Sequence, residues 1–319
     1  MNALNDTPII SVIMANYNGE SYLAAALESV LGQSVREIEV IVSDDASSDG
    51  SVAIAEAVAA TDPRVHVLST TINGGPGASR NRALDAARGD WVAIIDSDDL
   101  ILPDRFAEML AAAEHHSADA VADDLTYFGD VDARRQGRFL PDGFAVQPMR
   151  ITPEVFLRSD LPGPQHAPLG YLKPMIRRRR IGGLRYHEGL RIGEDHDFFL
   201  RLLLSGLDAI LLPQSYYLYR RRSSSISHRM GAGEIGAMIE AQDRLVVSEP
   251  GISAPLRVLF DRRRRHLGRE LRFAELVARI KGRDARGTLA ILLRDPPILR
   301  KLAKAAREHF ARRTRRLAE

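Results

Sequence analysis

The sequence of 319 residues contains no cysteine. Disulfide bonds, thiolate metal ligands and a cysteine nucleophile are therefore excluded. It also lacks long apolar runs, since no stretch approaches the ~18 apolar residues that span a bilayer. The N-terminal sequence MNALNDTP has neither the basic start nor the apolar core of a signal peptide. Because 45 % of the residues are apolar, we expect a folded, cytoplasmic chain.

Opposite charges nearly cancel over the whole chain, whose formal net charge is +2, but they are unevenly distributed. Residues 256–319 contain 20 Lys and Arg against 7 Asp and Glu, whereas residues 1–255 contain 24 against 35. The body is therefore acidic, with a net charge of −11, and the C-terminal segment is basic, with +13. This asymmetry indicates a polyanionic partner for the basic segment, either a membrane surface or a nucleic acid.

Two stretches of the basic segment, 262–280 and 298–317, place apolar side chains at helical spacing among many Arg. Helices of this kind can lie on an anionic leaflet, at about 1 kcal/mol for each basic residue near the surface. The alternative is a solvated helix whose apolar face packs on the body of the protein.

Short apolar runs alternate with helical stretches in the first third of the chain. The runs at 9–15, 40–42, 65–68 and 91–95 predict four buried strands. Such alternation over short connections is typical of a parallel α/β sheet with right-handed crossovers. Further along, the pattern predicts a helix at 103–115, a strand at 118–128, an irregular stretch at 129–174, a helix at 194–205, two strands at 208–212 and 216–221, and helices beyond 229.

Polar clusters stand where three of these strands end. They are Asn16-Tyr17-Asn18, Asp44-Asp45 and Asp96-Ser97-Asp98-Asp99. The carboxyl ends of parallel strands meet at one edge of a sheet, where ligands bind. Several carboxylates at one rim need a cation to be stable together, and hard oxygen ligands suit Mg²⁺ or Mn²⁺.

The same edge carries a candidate phosphate site. The glycine loop NGGPG at 73–77 leads into a helix whose N-terminus, with Arg80 and Arg82, could receive a diphosphate. Tyr17 offers a ring for stacking on a base. Each feature alone has an ordinary structural explanation, as a turn, a helix cap or a packing residue. Their combination favours a binding site.

A second acidic pair, Glu194-Asp195, opens the helix that follows Gly193. Acidic residues in a first helical turn are favoured by the helix dipole alone. Spacing separates their positions: Asp197 and Arg201 form an i, i+4 pair predicted to face solvent. Asp195 instead falls on the apolar face of the helix, so its carboxylate is either paired or catalytic.

These segments together resemble the family 2 inverting glycosyltransferases, which have the GT-A fold. The segments that carry the resemblance are SVIMANYNGESYLAAALESVLGQS at 11–34, EVIVSDDASSDGS at 39–51, NGGPGASRNRALDAARGDWVAIIDSDDLILPDRF at 73–106 and GEDHDFFLRLLLSG at 193–206. They cover most of residues 9–220 in the family's order. The resemblance implies a Rossmann-like, mostly parallel sheet at 1–225, with a nucleotide-binding half at 1–100 and an acceptor-side half at 101–225. Residues 226–319 then form a helical, Arg-rich extension.

The resemblance also assigns roles to individual residues. On the donor side it implies Ala15 and Tyr17 beside the base, Asp45 for uracil recognition, Arg80 at the diphosphate and Asp96 at the ribose. It implies Asp98 and Asp99 as ligands of the divalent metal. Asp195 matches the general base, with Glu194 beside it. Arg220 to Ser225 resembles a segment that closes over the donor phosphates, although the usual His is absent and His228 is the nearest substitute.

The implied reaction moves a hexose, with glucose as the first choice, from a UDP-sugar to an acceptor hydroxyl. Similar enzymes are the bacterial exopolysaccharide transferases, such as those that build succinoglycan. We therefore expect a polyprenyl-linked oligosaccharide acceptor, and a chain attached through its basic segment to the inner face of the cytoplasmic membrane.

Two alternatives come from other classes of protein. Haloacid-dehalogenase phosphatases also use a strand-end DxD, but after their first strand and followed by Thr or Val, whereas here it follows the fourth strand and precedes Leu100. A nucleic-acid-binding protein would explain the basic segment. That segment contains only Phe260, Phe273 and Phe310 as aromatic residues, with no Tyr or Trp for base stacking, so we expect no nucleic acid.

Overall fold

The computed structural model describes residues 7–129, 137–163, 166–221, 230–303 and 307. Within these ranges the strands belong to one mixed sheet. They are β1 (Ile10–Asn16), β2 (Ile38–Asp44), β3 (Val65–Ser69), β4 (Trp91–Ile94), β5 (Leu100–Ile101), β6 (Ala120–Gly129), β7 (Gly137–Arg138), β8 (Met149–Arg150), β9 (Met175–Arg177) and β10 (Ala209–Arg221). Their order is β3-β2-β1-β4-β9-β6-β10-β5, with β7 beside β6 and β8 beside β10.

Helices cover the sheet and continue after it. They are α1 (Leu23–Leu31), α2 (Ser51–Thr61), α3 (Pro76–Ala86), α4 (Arg105–His115), α5 (Pro153–Ser159), α6 (Arg178–Ile181), α7 (Glu194–Leu204), α8 (Ala232–Ser248), α9 (Ala254–Lys281) and α10 (Ala285–Arg294). A 3₁₀ turn spans Leu169–Tyr171. This arrangement confirms the predicted α/β class with C-terminal helices.

The first four strands lie parallel to one another, as predicted. Every residue of β2 is buried, because β1 and β3 flank it and helices cover its faces. The register sets Asn16 opposite Asp44 and Ile13 opposite Ile94, so these strands end near one level. The Asn16 amide donates to the Asp44 carboxylate across 2.8 Å, which fixes the edge where the polar clusters stand.

The sheet departs from the expected pattern in its second half. β9 runs antiparallel between β4 and β6, which interrupts the parallel order. The prediction of two strands at 208–212 and 216–221 is wrong, since β10 is one strand paired with β6 throughout. The register shifts around Ser215, and this irregularity accommodates Pro213 within a paired strand.

The C-terminal helices form a layer against α5 and α7. α9 packs against α8 and α5, and α10 packs against α9. Leu267 and Leu276 of α9 are buried, so the predicted helix at 262–280 turns part of its apolar face inward. Most of the second predicted stretch, 298–317, lies outside the described residues. Among the helices described, none is long and apolar enough to cross a membrane.

Candidate active site

A cleft of about 510 Å³ opens at the carboxyl ends of β1, β2 and β4 and reaches the N-terminus of α7. Its volume lies in the range usual for small-molecule sites. Eight of the nine predicted site residues line it: Ala15, Tyr17, Asp45, Arg80, Asp96, Asp98, Glu194 and Asp195. The cleft therefore brings residues 15–98 together with residues 194–195, although about 100 residues separate them in the chain.

Arg80 connects the two sides of the cleft. Its guanidinium lies 2.9 Å from Asp96, 2.6 Å from Glu194 and 3.4 Å from Asp195. Burial would lower the pKa of Arg80, but these carboxylates outweigh it and raise the pKa well above its usual value. The predicted role at a diphosphate stays a prediction, and the structure adds a second role in which Arg80 positions three carboxylates.

Lys173 makes a second connection that the sequence did not indicate. Its ammonium lies 2.8 Å from Asp96 and 2.7 Å from Asp195. Its carbonyl accepts a hydrogen bond from Arg105, which is fully buried and paired with Asp123 at 2.8 Å. A buried ion pair thus holds the backbone that carries Lys173, and Lys173 holds the two carboxylates.

Asp96 is an anion in this environment. Burial opposes its charge, but Lys173 and Arg80 hold the pKa of its carboxyl well below the usual range. Its backbone N–H also donates to the Tyr217 hydroxyl. At the other side of the cleft, burial and the charge of Asp195 raise the pKa of Glu194.

Asp99 does not line the cleft, in contrast to its predicted place on the metal. Its side chain is 1 % exposed and points to β10. One oxygen accepts a hydrogen bond from the Tyr217 hydroxyl at 2.8 Å, and the other accepts from the Arg220 N–H at 2.6 Å. Burial and the neighbouring Asp98 raise the pKa of Asp99 well above its usual value. These contacts commit Asp99 to positioning the loop that carries Asp98.

Asp45 anchors the glycine loop. Its carboxylate accepts hydrogen bonds from the N–H groups of Gly74 and Gly75, and lies 3.1 Å from Arg82. Gly75 has φ +87°, a left-handed conformation that favours glycine. The loop amides and Arg82 therefore serve the carboxylate, which shapes the wall of the cleft. Recognition of uracil by Asp45 remains a prediction.

Tyr17 stands at the mouth of the cleft with 54 % of its surface exposed. The preceding strand ends at Asn16, and Asn18 adopts a left-handed conformation at φ 50° that turns the chain back. An exposed aromatic ring beside a polar cleft is available for stacking on a planar ligand.

The turn before α7 explains the position of its acidic pair. Gly193 has φ +85°, and an added Cβ would lie 3.1 Å from Met238 of α8, so helix α8 packs closely on this turn. The prediction that Asp197 and Arg201 face solvent is wrong. The pair forms at 2.7 Å, but Asp197 is only 9 % exposed, because Arg201 also donates to the carbonyl of Arg185, which lies over this side.

Beyond Asp195 the cleft continues along residues that the sequence did not single out. These are Asp160 after α5, Tyr171, His196 and Arg263 of α9. They come from elements that lie far apart in the chain, so no local pattern indicated them. Arg263 was visible only as one member of a basic run.

The predicted closing segment falls partly outside the described residues, which include Arg220 and Arg221 but not His228. The Arg220 guanidinium lies between the rings of Tyr22 and Phe128 and donates to the carbonyl of Asp98. Arg220 therefore supports the Asp98 loop.

The donor set fits a divalent cation held jointly with substrate. Among the described residues there is no cluster of three or more His, Asp or Glu side chains that would hold a metal alone. Mg²⁺, however, is usually bound by one or two carboxylates together with substrate phosphates and water. Asp98 lines the cleft, and Asp96 beside it is charged, so an ion shared with a diphosphate suits these residues.

Comparisons with known proteins agree with this geometry. Residues 11–164 match the family model described as glycosyl transferase family 2. The chain is 34 % identical over 318 residues to the succinoglycan biosynthesis protein ExoO of Rhizobium meliloti (strain 1021), an alignment covering 99 % of this chain and 89 % of ExoO. It is 29 % identical to ExoU of the same organism, covering 81 % of this chain and 75 % of ExoU.

Solved structures share the fold at low identity. S. aureus TarS 1–349 in complex with UDP-GlcNAc gives a TM-score of 0.63 at 20 % identity, covering 91 % of this chain and 78 % of that one. The mannosyltransferase PcManGT from Pyrobaculum calidifontis, in complex with GDP-Man and Mn²⁺, gives 0.60 at 18 % identity, covering 95 % and 81 %.

Sheet, cleft and relatives together define a glycosyltransferase with the GT-A fold. Within that class, the chain belongs to glycosyl transferase family 2. The phosphatase alternative is thereby replaced, and so is a purely nucleic-acid-binding protein.

Proposed function

We propose that this glycosyltransferase moves a hexose, glucose in our first choice, from a UDP-sugar to a lipid-linked saccharide in exopolysaccharide biosynthesis, with inversion at the anomeric carbon. The observation that carries the proposal is the cleft itself, in which Lys173 joins Asp96 at the nucleotide end to Asp195 at the other end. The similarity to two succinoglycan biosynthesis proteins supports the pathway. The fold of TarS, crystallised with UDP-GlcNAc, supports a UDP-sugar.

On the donor side, Tyr17 stacks on the base and Asp45 recognises uracil. Asp96 binds the ribose, and Arg80 supplies positive charge to the diphosphate. A divalent cation, Mg²⁺ or Mn²⁺, held by Asp98 with the phosphates would neutralise the departing nucleoside diphosphate.

On the acceptor side, the Asp195 carboxylate takes the proton of the attacking hydroxyl. The hydroxyl oxygen bonds to the anomeric carbon while the bond from that carbon to the diphosphate breaks on the opposite side, which inverts the configuration. General-base catalysis of this kind contributes roughly 10²–10⁴-fold. Lys173 and Arg80 hold the carboxylate in place.

Asp195→Asn tests the assignment, because the amide keeps the shape of the side chain but cannot take a proton. We expect the variant to bind UDP-glucose in calorimetry like the wild type, and to lose transfer of labelled glucose into the lipid fraction of bacterial membranes by at least about 100-fold. Asp197→Asn is the matched control on the same helical turn and should retain transfer. Unchanged turnover by Asp195→Asn would contradict the role of Asp195.

The identity of the donor is tested separately, by a screen of UDP-, GDP- and dTDP-sugars with Mg²⁺ or Mn²⁺.

We also propose that the C-terminal region binds the anionic inner face of the cytoplasmic membrane. Helix α10 supports this, because one face places Leu289 and Leu293 outward with 58 % and 72 % of their surfaces exposed, and Arg286 stands on the same face. Exposed apolar residues beside cations suit an interface of acidic lipid headgroups and acyl chains.

Vesicles of phosphatidylglycerol and phosphatidylcholine provide the test. We expect the wild type to pellet with anionic vesicles and not with pure phosphatidylcholine, and the double variant Leu289→Glu, Leu293→Glu to stay in the supernatant. Val247→Glu is the control, since Val247 is equally apolar and 82 % exposed but lies on α8. Equal pelleting of the wild type and the double variant would refute the patch. Salt-dependent DNA binding that resists competition by these vesicles would favour a nucleic acid instead.

A further inference from the structure

The cleft extends past Asp195 into an end built by three separate elements. Asp160 caps α5, His196 directly follows Asp195 in α7, and Arg263 projects from the middle of α9. Tyr171 stands beside them at the rim. Nothing in the proposed donor chemistry uses these side chains.

Asp160 and Arg263 form a fixed pair. The Arg263 Nε lies 2.6 Å from Oδ2 of Asp160, and its Nη1 donates to Gln242 of α8 at 2.9 Å. His196 Nε2 lies 3.0 Å from the same Asp160 oxygen. These contacts hold both side chains rigid, since Arg263 is 4 % exposed and the Asp160 side chain 16 %.

Two polar atoms of this pair, Oδ1 of Asp160 and Nη2 of Arg263, are available to a ligand. Among the described residues none donates to Oδ1 of Asp160, and Nη2 of Arg263 donates to none. One strong acceptor and one strong donor therefore stand together on side chains that line the cleft. Two adjacent hydroxyls of a sugar, each both donor and acceptor, match that arrangement.

Charge in this end is balanced. The carboxylate of Asp160 offsets the guanidinium of Arg263, and His196 adds no charge, because burial and the nearby Arg263 lower its pKa. Asp160 would repel an anionic group, and Arg263 would repel a cationic group. A neutral ligand fits without either conflict.

The rim adds an apolar surface. Tyr171 is 41 % exposed, and Met238 lines the same part of the cleft. A sugar ring has one face of C–H groups, which packs on such side chains while its hydroxyls point to polar partners.

We propose that Asp160, Arg263 and Tyr171 form the subsite for the acceptor sugar, and that this sugar is a neutral hexose whose adjacent hydroxyls bind Oδ1 of Asp160 and Nη2 of Arg263. This inference rests on the proposed function of the cleft. It makes helix α9 part of the acceptor site, because Arg263 comes from that helix.

Octyl β-D-glucoside and octyl β-D-glucuronide serve as neutral and anionic acceptor probes, with UDP-glucose as donor. The wild type should transfer glucose to the glucoside and discriminate against the glucuronide. Tyr171→Ala, at an exposed position that tolerates truncation, and Asp160→Asn should each raise the KM for the glucoside about tenfold, as expected for a lost contact or charged hydrogen bond. Their affinity for UDP-glucose in calorimetry should stay within about twofold. Arg264→Gln, one residue along α9 at an exposed position, is the control with unchanged KM.

Asp160→Asn should also narrow the discrimination against the glucuronide, because it removes the repelling charge, and a merely structural role of Asp160 would not do so. The subsite is refuted if both variants keep the wild-type KM, if the wild type uses the glucuronide as well as the glucoside, or if the glucoside never stimulates turnover above donor hydrolysis. Failure of the proposed function gives a different result. In that case the wild type binds no UDP-glucose, and both proposals fall.

Discussion

Replacing Lys173 with methionine removes the cation shared by Asp96 and Asp195 and leaves the volume of the side chain nearly unchanged. Lys173 is 6 % exposed, and both carboxylates lie within 2.8 Å of its ammonium. Burial would lower the pKa of the ammonium, but Asp195 and Asp96 hold it well above its usual value. Lys173 is therefore protonated at neutral pH.

The cost of the substitution follows from the carboxylates it strands. Breaking a buried ion pair typically costs about 3–5 kcal/mol, because a buried charge loses its partner. The Asp96 and Asp195 side chains keep Arg80 and are 24 % and 19 % exposed, so the lower end applies. We expect a loss of about 3 kcal/mol in the free energy of unfolding. A displaced Asp195 should also lower kcat by about 100-fold, the lower end of a general-base contribution.

Equilibrium unfolding in guanidinium measures the first effect, with fluorescence of Trp91, the one tryptophan of the chain, as the signal. Trp91 is buried under Arg177 and will respond to loss of the core. Lys173→Arg keeps the charge and should recover part of both losses. If Lys173→Met unfolds at the same denaturant concentration and keeps its kcat within about twofold, Lys173 does not position the base, and the estimate from buried ion pairs does not apply to this cleft.

Three further predictions concern other parts of the site. Arg105→Met leaves the fully buried Asp123 without its partner and should cost about 3–5 kcal/mol in unfolding free energy. Arg264→Met, at an exposed ion pair, should cause no measurable loss. Equal losses in the two variants would show that burial does not determine the contribution of these ion pairs to stability. Asp98→Ala should abolish the stimulation of UDP binding by Mg²⁺ or Mn²⁺ in calorimetry, and tight metal-independent binding would count against a metal site. Urea unfolding should show the free energy of unfolding falling as the pH drops from 7 to 5, because the pKa of His196 is lowered in the fold and the unfolded chain takes up the proton first. The free energy of unfolding should fall further below about pH 4, because the pKa of Asp160 is depressed in the fold and its carboxylate becomes protonated on unfolding. His196→Gln should flatten the part of this profile between pH 7 and 5.

The sequence was sufficient for those parts of the site that local patterns encode. Asn16, Asp45 and Asp96 follow apolar runs, and parallel pairing brings strand ends to one edge, so their proximity follows from the topology. Asp195 could be placed on the inward face of α7 from helical spacing alone. These inferences need only the period of an element and the direction of its neighbours.

The parts that failed depend on contacts between distant segments. Lys173 precedes β9, Asp160 caps α5 and Arg263 lies in α9, and no local period determines the positions of these elements. Asp99 lies in the same run of carboxylates as Asp98. Only the course of β10 shows that the Tyr217 hydroxyl and the Arg220 N–H donate hydrogen bonds to Asp99. The sequence likewise predicts a solvent-exposed Asp197, because no local pattern indicates that the loop carrying Arg185 covers it.

The late position of Arg263 in the chain has a consequence for biosynthesis. Domains generally begin to fold from the N-terminal end while the ribosome is still adding residues. Every residue proposed for the nucleotide end lies before residue 100, and its supports Lys173, Tyr217 and Arg220 also precede α9, so that end can form before the wall supplied by α9 has been made. A chain interrupted before α9 would lack the wall that carries Arg263, and that side of the cleft would stand open to water.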